Sequence, residues 1–168
     1  MVLKKPGTAR YDRYEVVGWG NPVRKNSYDA DGRWYSNLPI ITHSITGTKA
    51  AGLIPKIEAA IKNYRWNKAG DYILWPGPNS NTFVASIIRS VPGFTAYTAT
   101  TAIGRDFPVD GRWAGWRPDG ALFISARGYA GLVIGKRQGL EINFLGLVAG
   151  LNPWELELKI PAFGAYRW

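Results

Sequence analysis

The apolar positions of this chain change period as it runs. Residues 13–19 alternate weakly and stop at Gly18, which predicts a short strand. Residues 21–37 are polar and turn-rich, and read as a loop. Residues 39–46 alternate, with Ile41, His43 and Ile45 on one face and Ile40, Thr42 and Ser44 on the other, predicting a second strand. Helical spacing follows. Thr48 can cap a helix in which Ala50, Leu53, Ile54, Ile57, Ile61 and Tyr64 share a stripe, and Pro55 inside it predicts a kink or restart. Residues 72–75 are a short apolar run, read as a strand. A Pro76-Gly77-Pro78 turn then leads to a second helix over 80–91, carrying Phe83, Ile87, Ile88 and Val91 and stopped by Pro92-Gly93.

The C-terminal half changes period again. Asp119-Gly120 marks a turn, and residues 121–127, 129–135 and 140–149 are rich in Val, Ile, Leu and Phe with Gly between them, a meander. Trp154, Leu156, Leu158 and Ile160 alternate strictly with Glu155, Glu157 and Lys159, the clearest half-buried strand in the chain. The sum is an α+β fold: a mostly antiparallel, twisted sheet with two main helices packed on one side. Phe83, Ile87 and Ile88 are expected against a sheet built mainly from residues 121–160. Residues 1–168 read as a single domain, without linker or repeat. Val2-Leu3-Lys4-Lys5-Pro6-Gly7 resembles the tail of a strand, so the first strand is expected to be truncated at the N-terminus.

Composition narrows the chemistry. The chain has 168 residues, no Cys and one His, which removes disulfides, thiolate chemistry and any multi-histidine metal site; neither metal nor cofactor is expected. The apolar run 142–154 is too short to span a bilayer and is bounded by Glu141 and Glu155. Lys and Arg outnumber Asp and Glu by 21 to 12, a net charge of +9. That balance favours an anionic partner, such as a membrane surface or cell-wall polymer, and leans toward the cell envelope. Nucleic acid is disfavoured, because the basic residues are scattered and no nucleic-acid motif is present.

The most informative stretch is Trp75-Pro76-Gly77-Pro78-Asn79-Ser80-Asn81-Thr82-Phe83. Strand, turn and helix there place Ser80 at or beside an N-cap, at the positive end of a helix dipole. Such a position seats a nucleophile or an anion, or simply caps a helix. Asn79, Asn81 and Thr82 either serve an oxyanion or stitch the turn. His43 is the only histidine, as base or as a strand residue. Arg105 and Asp106 either hold a ligand or close a loop, and Trp75 lines a pocket or packs.

The block Pro76 to Phe83, followed by Ala102-Ile103-Gly104-Arg105-Asp106-Phe107, resembles a bacterial family of unassigned function that carries PGPNSNTF and AIG-basic-D-aromatic motifs. Asn79-Ser80-Asn81-Thr82-Phe83 is more distantly similar to the helix start of circularly permuted, papain-like proteins of the lecithin retinol acyltransferase type. There a cysteine stands where this chain has Ser80. The second resemblance implies a permuted papain-like fold and an amide or ester hydrolase or acyltransferase relative. Ser80 would be in the nucleophile position, with His43 and Asp106 as partners in an incomplete site. The alternative is a non-catalytic, envelope-associated module that binds an anionic lipid, a wall polymer or another acidic ligand.

Overall fold

The computed structural model describes all 168 residues. It is α+β, with two helices and two antiparallel sheets, and most of its regular structure is strand. The N-terminal sheet has three strands in sequence order: β1 (Val2–Leu3), β2 (Asp12–Val16) and β3 (Val23–Lys25). Helices α1 (Gly47–Lys62) and α2 (Ser80–Ser90) follow. The remaining strands form a seven-stranded meander in which each pairs with its sequence neighbours: β4 (Ala114–Trp116), β5 (Leu122–Ala126), β6 (Ala130–Gly135), β7 (Gly139–Phe144), β8 (Leu147–Asn152), β9 (Glu157–Ile160) and β10 (Gly164–Arg167). Neither helix is long and apolar enough to cross a membrane.

The main core lies between the helices and the small sheet. Leu3, Tyr14 and Val16 from the strands meet Leu53, Ile54, Ile57 and Ile61 from α1 and Phe83 and Ile87 from α2. The Tyr64 ring meets Phe83 edge-on, 5.1 Å between centroids. The expectation that Phe83, Ile87 and Ile88 pack on residues 121–160 is therefore corrected. Phe83 and Ile87 face β1 and β2, and Ile88 is only half-buried. The helical stripe was legible; its partner sheet was not, because an apolar stripe names no strand.

Three local expectations also change. Residues 39–46 form no strand, and Ile40 and Ile41 stand in solvent. Alternation there meets no free sheet edge to complete its backbone hydrogen bonds. Residues 72–75 are likewise irregular; the Ile73 N–H donates to the Pro78 carbonyl, which folds the chain back on itself. Helix α1 is capped by Thr46 without a side-chain bond and runs continuously past Pro55. Pro55 is on the exposed side, so the carbonyl it leaves unpaired one turn earlier can be hydrated. Four buried apolar residues of α1 hold the helix despite a cost of about 3 kcal/mol.

The meander reverses the most confident reading of the sequence. The expected long run 140–149 is a hairpin turning at Leu145 (φ 52°) and Gly146 (φ 84°), the backbone of a two-residue type I′ turn. In β9 the charged residues Glu157 and Lys159 are buried, while Leu158 and Ile160 face out. The inversion runs across the sheet. Ser125, Glu141, Asn143, Asn152, Glu157 and Lys159 point inward, together with the small residues Gly131, Gly135 and Gly150. Lys159 and Glu141 lie two strands apart, on either side of Gly150, and their charged ends still meet at 2.7 Å. A Cβ at Gly150 would come within 2.5 Å of the Leu140 carbonyl and 3.2 Å of the Lys159 stem.

This inversion makes an unusual pair of mutational outcomes. Leu158→Ser, at an exposed position, should change unfolding free energy by no more than about 0.5 kcal/mol. Lys159→Ala takes one of the two cations from each of the buried Glu141 and Glu157, leaving them Arg105 and Arg167, and should cost at least about 2 kcal/mol. Urea unfolding of the two variants checks the ordering.

Candidate functional site

The helix start that dominates the sequence is built from its own motif. Asn79 is the N-cap of α2. Its Oδ1 accepts the Thr82 N–H at 3.0 Å, and its own N–H donates to Thr82 Oγ1 at 3.1 Å, a capping box with Thr in the role usual for Glu. The Asn79 amide also donates to the carbonyls of Leu74 (2.8 Å) and Ile103 (3.0 Å). Asn81 donates to the same Ile103 carbonyl at 2.9 Å, and Thr82 Oγ1 donates to Gly104 O at 2.6 Å. The two sequence blocks therefore clasp each other. Gly104 sits at φ +86°, and a methyl there would collide with the Asn79 amide, so the clasp requires glycine.

The residues singled out for acyl chemistry are not linked by hydrogen bonds. Ser80 is half-buried at the first position of α2, and its hydroxyl makes no hydrogen bond to protein. His43 is exposed on the irregular segment 38–46. Asp106 is buried and bound elsewhere. Trp75 remains partly exposed and meets Tyr129 edge-on at 4.9 Å, docking the motif turn onto the β5–β6 loop.

Asp106 instead begins a buried chain of alternating charge. Its Oδ2 accepts from Arg105 Nε at 3.1 Å and from the Asn143 amide at 2.7 Å. Arg105 reaches on to Glu141, and Glu141 Oε1 accepts from Lys159 Nζ at 2.7 Å. Lys159 pairs with Glu157 at 3.1 Å, and Glu157 accepts from Arg167 Nε at 2.7 Å. Three acids and three bases thus connect the loop after α2 to β7, β9 and β10. Burial works against the ionised form of Asp106, but Arg105, Arg89 and Arg117 outweigh it and hold the carboxyl below its ordinary range. Glu157 is depressed in the same way: burial opposes ionisation, and hydrogen bonds from Arg167 and Lys159 prevail.

Two cations lie outside this balanced chain. Arg89, on α2, donates to the Arg105 carbonyl and stands 3.7 Å from Asp106 Oδ1. Arg117, just after β4, stands 3.9 Å from the same oxygen and lies over the Phe123 ring, and its side chain makes no hydrogen bond although it is only 10% exposed. Asp106 Oδ1 also lacks a hydrogen-bond partner, as does the buried Thr100 hydroxyl. Burial lowers the proton affinity of both arginines; Arg117 lowers that of Arg89 further, and Arg105 that of Arg117. Guanidinium is basic enough to stay charged regardless. Arg89, Arg117 and Thr100, with Asp119, Glu141 and Glu157, line a cleft of about 400 Å³ between the segment 92–100 and the inner face of the meander. The sequence hid Arg89 and Arg117, one in a helix and one in a turn. The alternation of Glu157 and Lys159 with Leu158 and Ile160 suggests the opposite facing, and Glu141 shows in the sequence only as the boundary of an apolar run. The usable signal was that glycines share their face, which marks close packing.

Two consequences are measurable. Asn79→Ala removes the cap and the amide bonds to Leu74 and Ile103, leaving the Ile103 carbonyl with Asn81 alone, and should cost about 2–4 kcal/mol. Ser80→Ala, which removes no bond, should stay within about 0.5 kcal/mol by chemical denaturation. The pH dependence follows from Asp106 and Glu157. Their folded-state pKa values are depressed, so their contribution is complete above the unfolded carboxylate range near pH ~4 and is lost as pH falls from there through the lower folded-state values. Asp106→Asn should be less stable at neutral pH by about 3 kcal/mol and show a flatter acid limb when unfolding is followed from pH 7 downward.

No curated protein and no solved structure matches the chain. Residues 1–107, which carry the small sheet, both helices and both halves of the clasp, match the family described as protein of unknown function (DUF3750), and the chain belongs to that family.

Proposed function

We propose that this protein is a non-catalytic binding module that takes a small acidic ligand, a carboxylate or phosphate, into the cleft lined by Arg89, Arg117 and Thr100. The observation that carries the reading is Arg117. Its guanidinium makes no hydrogen bond to protein, although its side chain is only 10% exposed, and it stands beside the half-buried Arg89, so its donors are free for a ligand that enters the cleft. An entering anion would meet these donors with charge-assisted hydrogen bonds, which a half-closed cleft strengthens relative to open water. Arg137 and Tyr97 stand at the same cleft, the guanidinium 4.9 Å from the ring centroid. The charge excess of the whole chain would speed the approach of an anion.

A hydrolase or acyltransferase reading centred on Ser80 has one observation in its favour, a free hydroxyl at a helix N-terminus. It needs a base, and no hydrogen bond supplies one. A serine-directed fluorophosphonate should therefore leave the chain unlabelled. Labelling that disappears in Ser80→Ala would favour the enzyme.

The binding reading is tested by thermal unfolding with citrate and inorganic phosphate, each against chloride at matched ionic strength. A ligand at 100 times its Kd stabilises by about 2.7 kcal/mol. For a chain of this length that is a rise in Tm of roughly 5–10 °C. Arg117→Met keeps the apolar stem over Phe123 and should abolish the rise while leaving the unliganded Tm equal or higher. Equal shifts in citrate, phosphate and chloride would refute the proposal.

A further inference from the structure

The outward face of the meander is apolar from edge to edge. Cross-strand registers place Trp116, Leu122, Ile124, Leu132, Ile134, Leu140, Ile142, Phe144, Leu147, Leu151, Leu158, Ile160 and Tyr166 on that one side, with only Ala and Gly between them. No charged side chain falls among them. Phe144 is 62% exposed, Ile142 52% and Leu151 48%. Seven strands of up to six residues span roughly 29 by 20 Å. That is roughly the largest apolar patch a soluble monomer shows, and patches of this size mark an interaction surface.

Three observations indicate what covers it. First, the ends of the sheet carry cations without partners. Arg127 in the β5–β6 turn and Lys136 in the β6–β7 turn are exposed, their side chains make no hydrogen bond or ion pair, and they bracket the face at opposite ends of β6. Second, exposed aromatic residues stand at both ends: Trp113, Tyr129 and Phe163 at one, Trp154 and Trp168 at the other. Aromatic rings over cations suit the boundary between lipid headgroups and acyl chains. Third, the strands have 3–6 residues, short of the roughly 9–11 needed to span a bilayer, and β4 and β10 leave open edges. The sheet cannot cross hydrocarbon, but it can lie flat. Its side chains would then enter the acyl boundary while its backbone and edges stay in the hydrated headgroup layer. A second copy would also cover the apolar surface, but it would bring two chains of charge +9 together and leave Arg127 and Lys136 unanswered.

We propose that the outer face of the meander docks on the surface of an anionic phospholipid bilayer, independently of the arginine cleft. The test uses the full chain with vesicles of phosphatidylcholine alone or mixed equally with phosphatidylglycerol. Flotation should recover most of the protein with the mixed vesicles and at least tenfold less with phosphatidylcholine. Brominated acyl chains should quench the fluorescence of the wild-type protein, which needs no variant. Ile142→Ser with Leu151→Ser should reduce binding at least tenfold with unchanged circular dichroism. Arg127→Gln with Lys136→Gln should weaken binding and flatten its salt dependence, while Arg117→Met should leave it intact. Failure to bind mixed vesicles would overturn the proposal. So would a stable dimer in light scattering that the Ile142 and Leu151 substitutions dissolve, which would assign the face to a second copy.

Discussion

The structure depends on the alternating chain of charges that starts at Asp106 and ends at Arg167. The three-stranded sheet and the two helices have their own apolar core, and the meander contributes none of its eleven residues. The meander's apolar cluster is only Ala121, Phe123 and Val133. What joins the two halves is Arg105 in the grip of Asp106 and Glu141, with Asn143 and Ser125 bonded to Asp106 from the sheet. Buried ion pairs contribute little net stability against an apolar replacement, but each is costly to break singly. They act here as a specificity device: the meander can dock in only one orientation, because only one brings each acid to its base.

That constraint explains the inverted sheet. An antiparallel sheet usually turns its apolar face to the core. Here the core-facing side must answer a buried arginine and aspartate, so it is built of Glu, Lys, Asn, Ser and Gly. Apart from Phe123, Val133 and Val148, the large apolar residues of its strands are left on the other side. The clasp between Asn79, Thr82 and Gly104 sits one step behind, holding the loop that presents Arg105 and Asp106 to the sheet.

What could be read from the sequence follows from the same physics. The α+β class, both helices and the strand-rich second half were legible, because periodicity and turn residues act locally. The helix start at residues 79–83 was legible too, although the cap is Asn79 and the Ser80 hydroxyl is free. The direction in which β9 faces was not, because alternation gives two faces without saying which is wet. The hairpin at Leu145-Gly146 was hidden by a leucine where asparagine or aspartate is usual. The pairing of Arg105 with Glu141 was beyond reach, since 36 residues separate partners that meet only after the meander has folded.

The bare backbone at Gly150 gives the sheet a means of checking its own alignment. Glu141 and Lys159 touch across an intervening strand only while that strand offers no side chain between them. If β8 slipped by two residues, which keeps each face of the strand on its own side, Val148 or Asn152 would occupy the crossing. Hydrophobic contact alone would scarcely resist such a slip, since most side chains on the outer face are aliphatic and nearly interchangeable. A single glycine beneath an ion pair therefore makes one register electrically distinct in a sheet whose oily side would tolerate several.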